Sequence, residues 1–200
     1  FVDGFDISSQ ATGVTDLAFN TDGTKMFIVG TGSDTVYEYN LSDGFDVSTA
    51  SYVDGYSVSS QETVPTGLEF SADGKRMFIT GNNGDDVTEY KLTTAFDVST
   101  ASHVGQFDVS SQETQASSIA FNAEGTKMFV LGYNGEDVNE YNLTSAFRVA
   151  NDTGSVGSAL IGAYGTLTMS SDGSYTYAAN SSIVGLDSGE SVYDYFTYTV

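Results

Sequence analysis

The stretch TDGTKMFIVG at residues 21–30 returns as ADGKRMFITG at 72–81 and as AEGTKMFVLG at 123–132. Met26, Met77 and Met128 therefore stand 51 residues apart, and the flanking pattern moves with them without a gap. A fixed period near fifty demands a repeat architecture, in which one supersecondary unit hides its apolar faces against copies of itself. Leucine-rich and hexapeptide solenoids are the structural alternative, but they repeat over far shorter spans.

Each unit carries the same strand and turn signals. Leu17 and Phe19 alternate, as do Leu68 with Phe70 and Ile119 with Phe121, which puts each pair on one face of a first strand. Asp22-Gly23, Asp73-Gly74 and Glu124-Gly125 follow as tight turns, where Gly supplies the positive φ of a short hairpin. Met26 to Val29 is apolar at every position and predicts a second strand buried on both faces. In the third strand Val36, Glu38, Tyr39 and Leu41 recur as Val87, Glu89, Tyr90 and Leu92, then as Val138, Glu140, Tyr141 and Leu143. The position between them varies through Tyr37, Thr88 and Asn139 and reads as solvent-facing. The segment FDVSTA, at 45–50 and 96–101, leads into an outer fourth strand. Residues 1–10, FVDGFDISSQ, match 52–61 and 103–112, so the chain opens on what is elsewhere that fourth strand. Four consecutive antiparallel strands, the second buried on both faces, describe the blade of a β-propeller.

The stretch GVTDLAFNTDGTKMFIVGTGSDTVYEYNL resembles secreted bacterial propeller repeats of the YVTN-like kind, in which an Asn-x-Asp-Gly-Thr-Lys turn precedes a strand such as MFIVG. This resemblance covers residues 1–148. Beyond Phe147 the pattern changes. GTLTMSSDGSYTYAAN and DSGESVYDYFTYTV are similar to the VCBS or cadherin-like repeats of large bacterial surface adhesins, and VANDTGSV to their interdomain joint. The expected fold is all-β: three four-stranded propeller-type blades in an incomplete ring over 1–148, then a partial immunoglobulin- or cadherin-like sandwich segment over 149–200. GTLTM and SYTYAA read as a hairpin about Asp172-Gly173, and YDYFTYTV as a further strand. Three units are too few to close a ring of about four to eight blades, so the expected partners are further repeats of a longer chain or other copies of this one. The first residue, Phe rather than Met, reads as the start of a processed or excised piece of a longer chain.

Charge narrows the partners. Six Lys and Arg stand against 27 Asp and Glu, a net charge of −21. That field repels nucleic acid and anionic membranes, and no apolar run is long enough to span a bilayer. There is no cysteine, so disulfides and thiolate sites are excluded. His103 is the sole histidine and occupies an outer-strand position held by Phe1 and Tyr52 in the other copies. With no Ser/His/Asp set and no phosphate-binding glycine loop, the sequence predicts no enzyme.

The candidate sites follow from resemblance, loop chemistry and exposed edges. Calcium is the one cofactor the acidity admits. The adhesin resemblance implies Asn151 and Asp152 as ligands at the joint, where a plain linker turn is the alternative. The loops NNGDD and YNGED offer Asp85, Asp86, Glu136 and Asp137, although the first repeat has only Asp34 with Thr35, which favours a solvated hairpin loop. Glu38, Glu89 and Glu140 recur with Lys25, Arg76 and Lys127 and read as a structural ion pair renewed in each blade. Tyr37, Tyr52 and Tyr133 vary between copies and are the candidates for stacking on glycans. Phe1, Val2, Phe5 and Ile7 are candidates for self-assembly, adding as a strand to the open third blade of another copy. The expected function is non-enzymatic: extracellular or bacterial cell-surface adhesion and scaffolding, with carbohydrate binding as the alternative.

Overall fold

The computed structural model describes residues 1–149, 159–161, 164–170 and 174–179. Strands β1 (Val14–Phe19), β2 (Lys25–Gly30), β3 (Thr35–Leu41) and β4 (Ala50–Ser57) form the first antiparallel sheet in sequence order. Strands β5 (Pro65–Phe70), β6 (Arg76–Gly81), β7 (Asp86–Leu92) and β8 (Ala101–Asp108) form the second in the same order. In the third sheet β9 (Ala116–Phe121), β10 (Lys127–Gly132) and β11 (Val138–Asn142) stand without a fourth strand among the described residues. Among those residues there is no α-helix, and no helix is long and apolar enough to cross a membrane.

Register follows the period. Met26 lies opposite Tyr39, Met77 opposite Tyr90, and Met128 opposite Tyr141. Each complete outer pair slips at the same place, between Glu38 and Tyr39 and between Glu89 and Tyr90. The turns repeat as well. Gly23, Gly74 and Gly125 have φ of 72°, 67° and 66°, and an added Cβ would fall on the rings of Phe45, Phe96 and Phe147. Those phenylalanines are themselves left-handed, at 63°, 55° and 53°, and each donates its N–H to the carbonyl of the facing glycine. A bulky residue in that region is strained and persists only where its surroundings fix it. Here the hydrogen bond and the packing of each ring on its turn glycine do so.

The cores lie between sheets rather than inside one. Phe27, Val29 and Val36 of the first blade pack with Leu68, Phe70, Met77 and Ile79 of the second. Phe78 and Val87 pack in turn with Ile119, Met128 and Val130 of the third. Alternate residues of one strand thus serve two interfaces, which explains the unbroken apolar runs at 26–29, 77–79 and 128–131. Val149, placed by sequence at the head of the C-terminal segment, is buried in the second of these cores.

Two expectations need correction. The position of Tyr37 is not solvent-facing: Tyr37 is half-buried and Thr88 fully buried. Tyr37 packs with Phe5 and Ile7 at the leading face of the first blade, so variation at this position does not mark water. The outer strand expected at residues 1–10 is also not formed, because no sheet edge faces it to complete a ladder. Further along, β12 (Ala159–Ile161), β13 (Gly165–Met169) and β14 (Tyr175–Ala179) form a three-stranded sheet with Gly165 opposite Ala179. The hairpin expected from GTLTM and SYTYAA is present. Its turn at Asp172-Gly173 and the strand expected at 193–200 lie outside the described residues.

Candidate interaction site

Consecutive blades are joined by one repeated set of bonds. The Thr15 hydroxyl donates to the Pro65 carbonyl at 2.9 Å, and the Thr66 hydroxyl donates to the Ala116 carbonyl one blade later. Farther out, Glu38 pairs with Lys25 through Oε1 and accepts the Val98 N–H of the next blade through Oε2 at 3.0 Å. Glu89 repeats the arrangement, holding Arg76 with one oxygen and the Val149 N–H with the other at 2.9 Å. The ion pairs expected from sequence are therefore real, and those of Glu38 and Glu89 each carry a joint to the blade ahead. Burial, with a smaller push from Arg148, lowers Arg76 to about 10, so it stays cationic at neutral pH.

The third blade presents the same face with nothing described against it. Val29 and Thr80 are fully buried, but Leu131 at the same position is 44% exposed. Val36 and Val87 are likewise sealed, whereas Val138 is 62% exposed. The Glu140 side chain, still paired with Lys127, is 49% exposed. At the opposite end Leu17 is 56% exposed, while its copies Leu68 and Ile119 are buried. The described blades end in two apolar faces that are the two halves of an interface they form twice internally. Isolated exposed apolar residues are ordinary on a protein surface, but contiguous faces of this kind mark interaction sites.

Residues 5–11 sit across the leading face of the first blade. The Phe5 ring meets Tyr39 edge-on at 5.7 Å, as Tyr56 meets Tyr90 at 5.6 Å and Phe107 meets Tyr141 at 5.3 Å. The N–H groups of Gln10 and Ala11 donate to the Ile7 carbonyl, as those of Gln61 and Glu62 do to Val58 and those of Gln112 and Glu113 to Val109. This segment has the conformation of an interblade connector. Of the four assembly candidates, Phe5 and Ile7 pack on the molecule's own first blade, while Phe1 and Val2 are fully exposed.

The other candidates are scattered. Asp85 and Glu136 are left-handed loop residues. The Asp86 carboxylate accepts from Gln106 and Thr88, and burial raises its pKa with help from Glu62, Asp108 and Asp85. Asp137 accepts from Asn139. Among the described residues no three acidic or histidine side chains converge as a metal site, and Asn151 and Asp152 lie outside those residues. Tyr37 and Tyr52 come together at 6.2 Å on the outer strands of the first blade. Tyr133 stands apart on the third blade, where it lines an open cleft of about 590 Å³ with Leu131, Asn134 and Glu136.

Two buried carboxylates escape the motif search. Glu62 is buried and accepts from the N–H groups of Val64 and Gly84. Glu113 is equally buried and accepts from Gln115 and Gly135, the Gly135 bond holding its pKa below the usual carboxylate value. They order the loops 82–86 and 133–137, which makes those loops structural. The recurrence of SSQET at 59–63 and 110–114 was the available signal, obscured by Ala11 in the first copy.

This architecture is found in solved structures at low identity. A protein of Bacteroides uniformis with a provisional 6-phosphogluconolactonase name superposes with a TM-score of 0.51 and 13% identity, over 65% of this chain and 36% of its own. The periplasmic gluconolactonase PpgL of Pseudomonas aeruginosa superposes with a TM-score of 0.50 and 16% identity, over 83% of this chain and 42% of its own. The β-propeller domain of Cps50 (Swd1) from Myceliophteria thermophila gives 0.49 and 12%, over 65% and 40%. The chain spans roughly two fifths of the length of each. No protein-family model matches it, and no curated protein does.

At such identities the likeness establishes an all-β, propeller-like fold, with the ring not closed. It also overturns one expectation. Two neighbours are named as lactonases, so enzymes share this architecture and the prediction that the chain is not an enzyme does not stand. That prediction rested on local motifs. On a rigid scaffold, functional side chains are carried by loops brought together from distant parts of a chain, and no local pattern need announce them.

Proposed function

We propose that the chain is a scaffold module of an extracellular bacterial surface or matrix protein, holding polypeptides together through its two terminal blade faces. One observation carries this: the face sealed at Val36 and Val87 lies open at Val138, with the joint-forming Glu140 beside it. The strongly negative charge and the resemblance of residues 149–200 to adhesin repeats support an extracellular setting. Its test is bead clustering. Beads coated with the full chain are expected to cluster with one another, and failure to cluster at any surface density overturns the proposal.

The cleft at Tyr133 supports a second reading, glycan binding at the same end. A glycan array separates the two. Selective, saturable binding without bead clustering favours the glycan, and clustering without glycan binding favours the scaffold.

A further inference from the structure

We infer that the occupant of the open third blade is a second copy of this chain, whose residues 1–6 enter as a fourth strand beside β11, where the described residues supply none. This rests on the scaffold function proposed above and specifies its partner and register.

The register follows from two internal precedents. Val36 pairs with Tyr56, Tyr37 with Gly55 and Glu38 with Asp54 across β3 and β4. Val87 pairs with Phe107, Thr88 with Gln106 and Glu89 with Gly105 across β7 and β8. One further step of the period sets Val138 against Phe5, Asn139 against Gly4 and Glu140 against Asp3 of the second copy. Phe5 already does half of what this place requires. It rests on Tyr39 of its own first blade, as Tyr56 reaches from β4 to Tyr90 of the blade ahead. A strand whose far end is already anchored to the incoming blade loses less freedom on adding to the edge, and the main-chain ladder supplies the binding.

The faces behind that strand match as well. The turn Val47–Thr49 is capped by Asp46, as Val98–Thr100 is capped by Asp97, so the element that docks on Glu38 internally exists preformed on the first blade. Docked, its Val47 N–H takes the place at Glu140 that Val98 holds at Glu38. Leu17 and Phe19 of the second copy then cover Phe129, Leu131 and Val138. Such an interface is heterologous, and it closes a ring when the rotation permits. Rings hold about four to eight blades. Two copies of the three described blades make six, within that range, for a mass of about 42 kDa. Each copy carries −21, so the apolar docking works against long-range repulsion and strengthens with added salt.

The absence of cysteine makes the register directly measurable. The full chain bearing Gly4→Cys and Asn139→Cys, both exposed or half-buried positions, is oxidised under mild conditions and its mass measured by sedimentation equilibrium at low and high salt. The expected result is a two-chain mass, more populated at high salt, with an interchain disulfide between positions 4 and 139. Removing residues 1–6, or Val138→Asp on the exposed face, is expected to return a single-chain mass with the circular dichroism unchanged. Association that survives removal of residues 1–6, or a disulfide formed only when Asp3→Cys replaces Gly4→Cys, overturns the strand addition and leaves the scaffold function standing. A single-chain mass at every concentration overturns the second copy as partner. If the coated beads then also fail to cluster, the scaffold function falls with it.

Discussion

The second and third blades carry the same strand pattern in different surroundings. Phe78, Thr80, Val87 and Glu89 are sealed beneath the third blade, while Phe129, Leu131, Val138 and Glu140 occupy the same strand positions with part of each in water. Even the ion pair keeps its partners, Arg76 with Glu89 and Lys127 with Glu140. What differs is the cost of disturbing them. The worth of a side chain in a stacked repeat is set by the blade beside it, and the sequence of its own blade does not report it.

Paired substitutions sharpen that contrast, and the carboxylates should show it most. Glu89→Ala leaves Arg76 buried beside an emptied site and removes the acceptor of the Val149 N–H, so a loss of about 3–5 kcal/mol is expected. Glu140→Ala in the dilute single chain is expected to cost about 0–1 kcal/mol. Denaturant unfolding of both variants checks this, and equal losses would break the comparison. Phe78→Ala should follow, with about 3–5 kcal/mol for a fully buried ring. Phe129→Ala should cost roughly half of that in the same experiment, because the third-blade face is only partly dry.

Turn glycines extend the comparison, since the Phe96 ring opposite Gly74 packs on Phe27 of the first blade while the Phe45 ring opposite Gly23 is exposed. Gly74→Ala places a Cβ 2.2 Å from the Phe96 ring at a φ of 67°, and Gly23→Ala makes the same clash with Phe45. Gly74→Ala should lose about 1–3 kcal/mol in thermal unfolding, and Gly23→Ala less, because the exposed Phe45 ring can move aside. The smallest effect concerns pH. Glu113 titrates below its ordinary 4.5 when folded, so its stabilisation is complete above that value and disappears as pH falls through the lower folded pKa. Glu113→Gln should therefore weaken the protein at pH 7 and make no difference well below pH 4.5, measured as melting temperature against pH.

Much of the blade was legible in the sequence because its causes are local. The Met26, Met77 and Met128 strands and the tight turns before them follow from spacing and residue type. The joints were not legible. Glu38 meets Val98, and Glu89 meets Val149, across 60 residues and between blades, so only the stacking geometry brings them together. The position of Tyr37 shows the same limit, since variation there cannot distinguish water from packing against a segment distant in sequence, here Phe5 and Ile7. The left-handed Phe45, Phe96 and Phe147 follow a repeated motif whose φ no propensity anticipates. The assembly candidates Phe5 and Ile7 were found by alignment of the copies, although their packing on the first blade was not foreseen.

The open third blade is tested most directly by amide hydrogen exchange on the full chain across a dilution series. The amides of β7, paired with β8, should stay protected throughout, while those on the outer edge of β11 should be slow at high concentration and exchange quickly on dilution. Protection of β11 equal to that of β7 at every dilution would contradict the account, because the face would then be covered within a single chain.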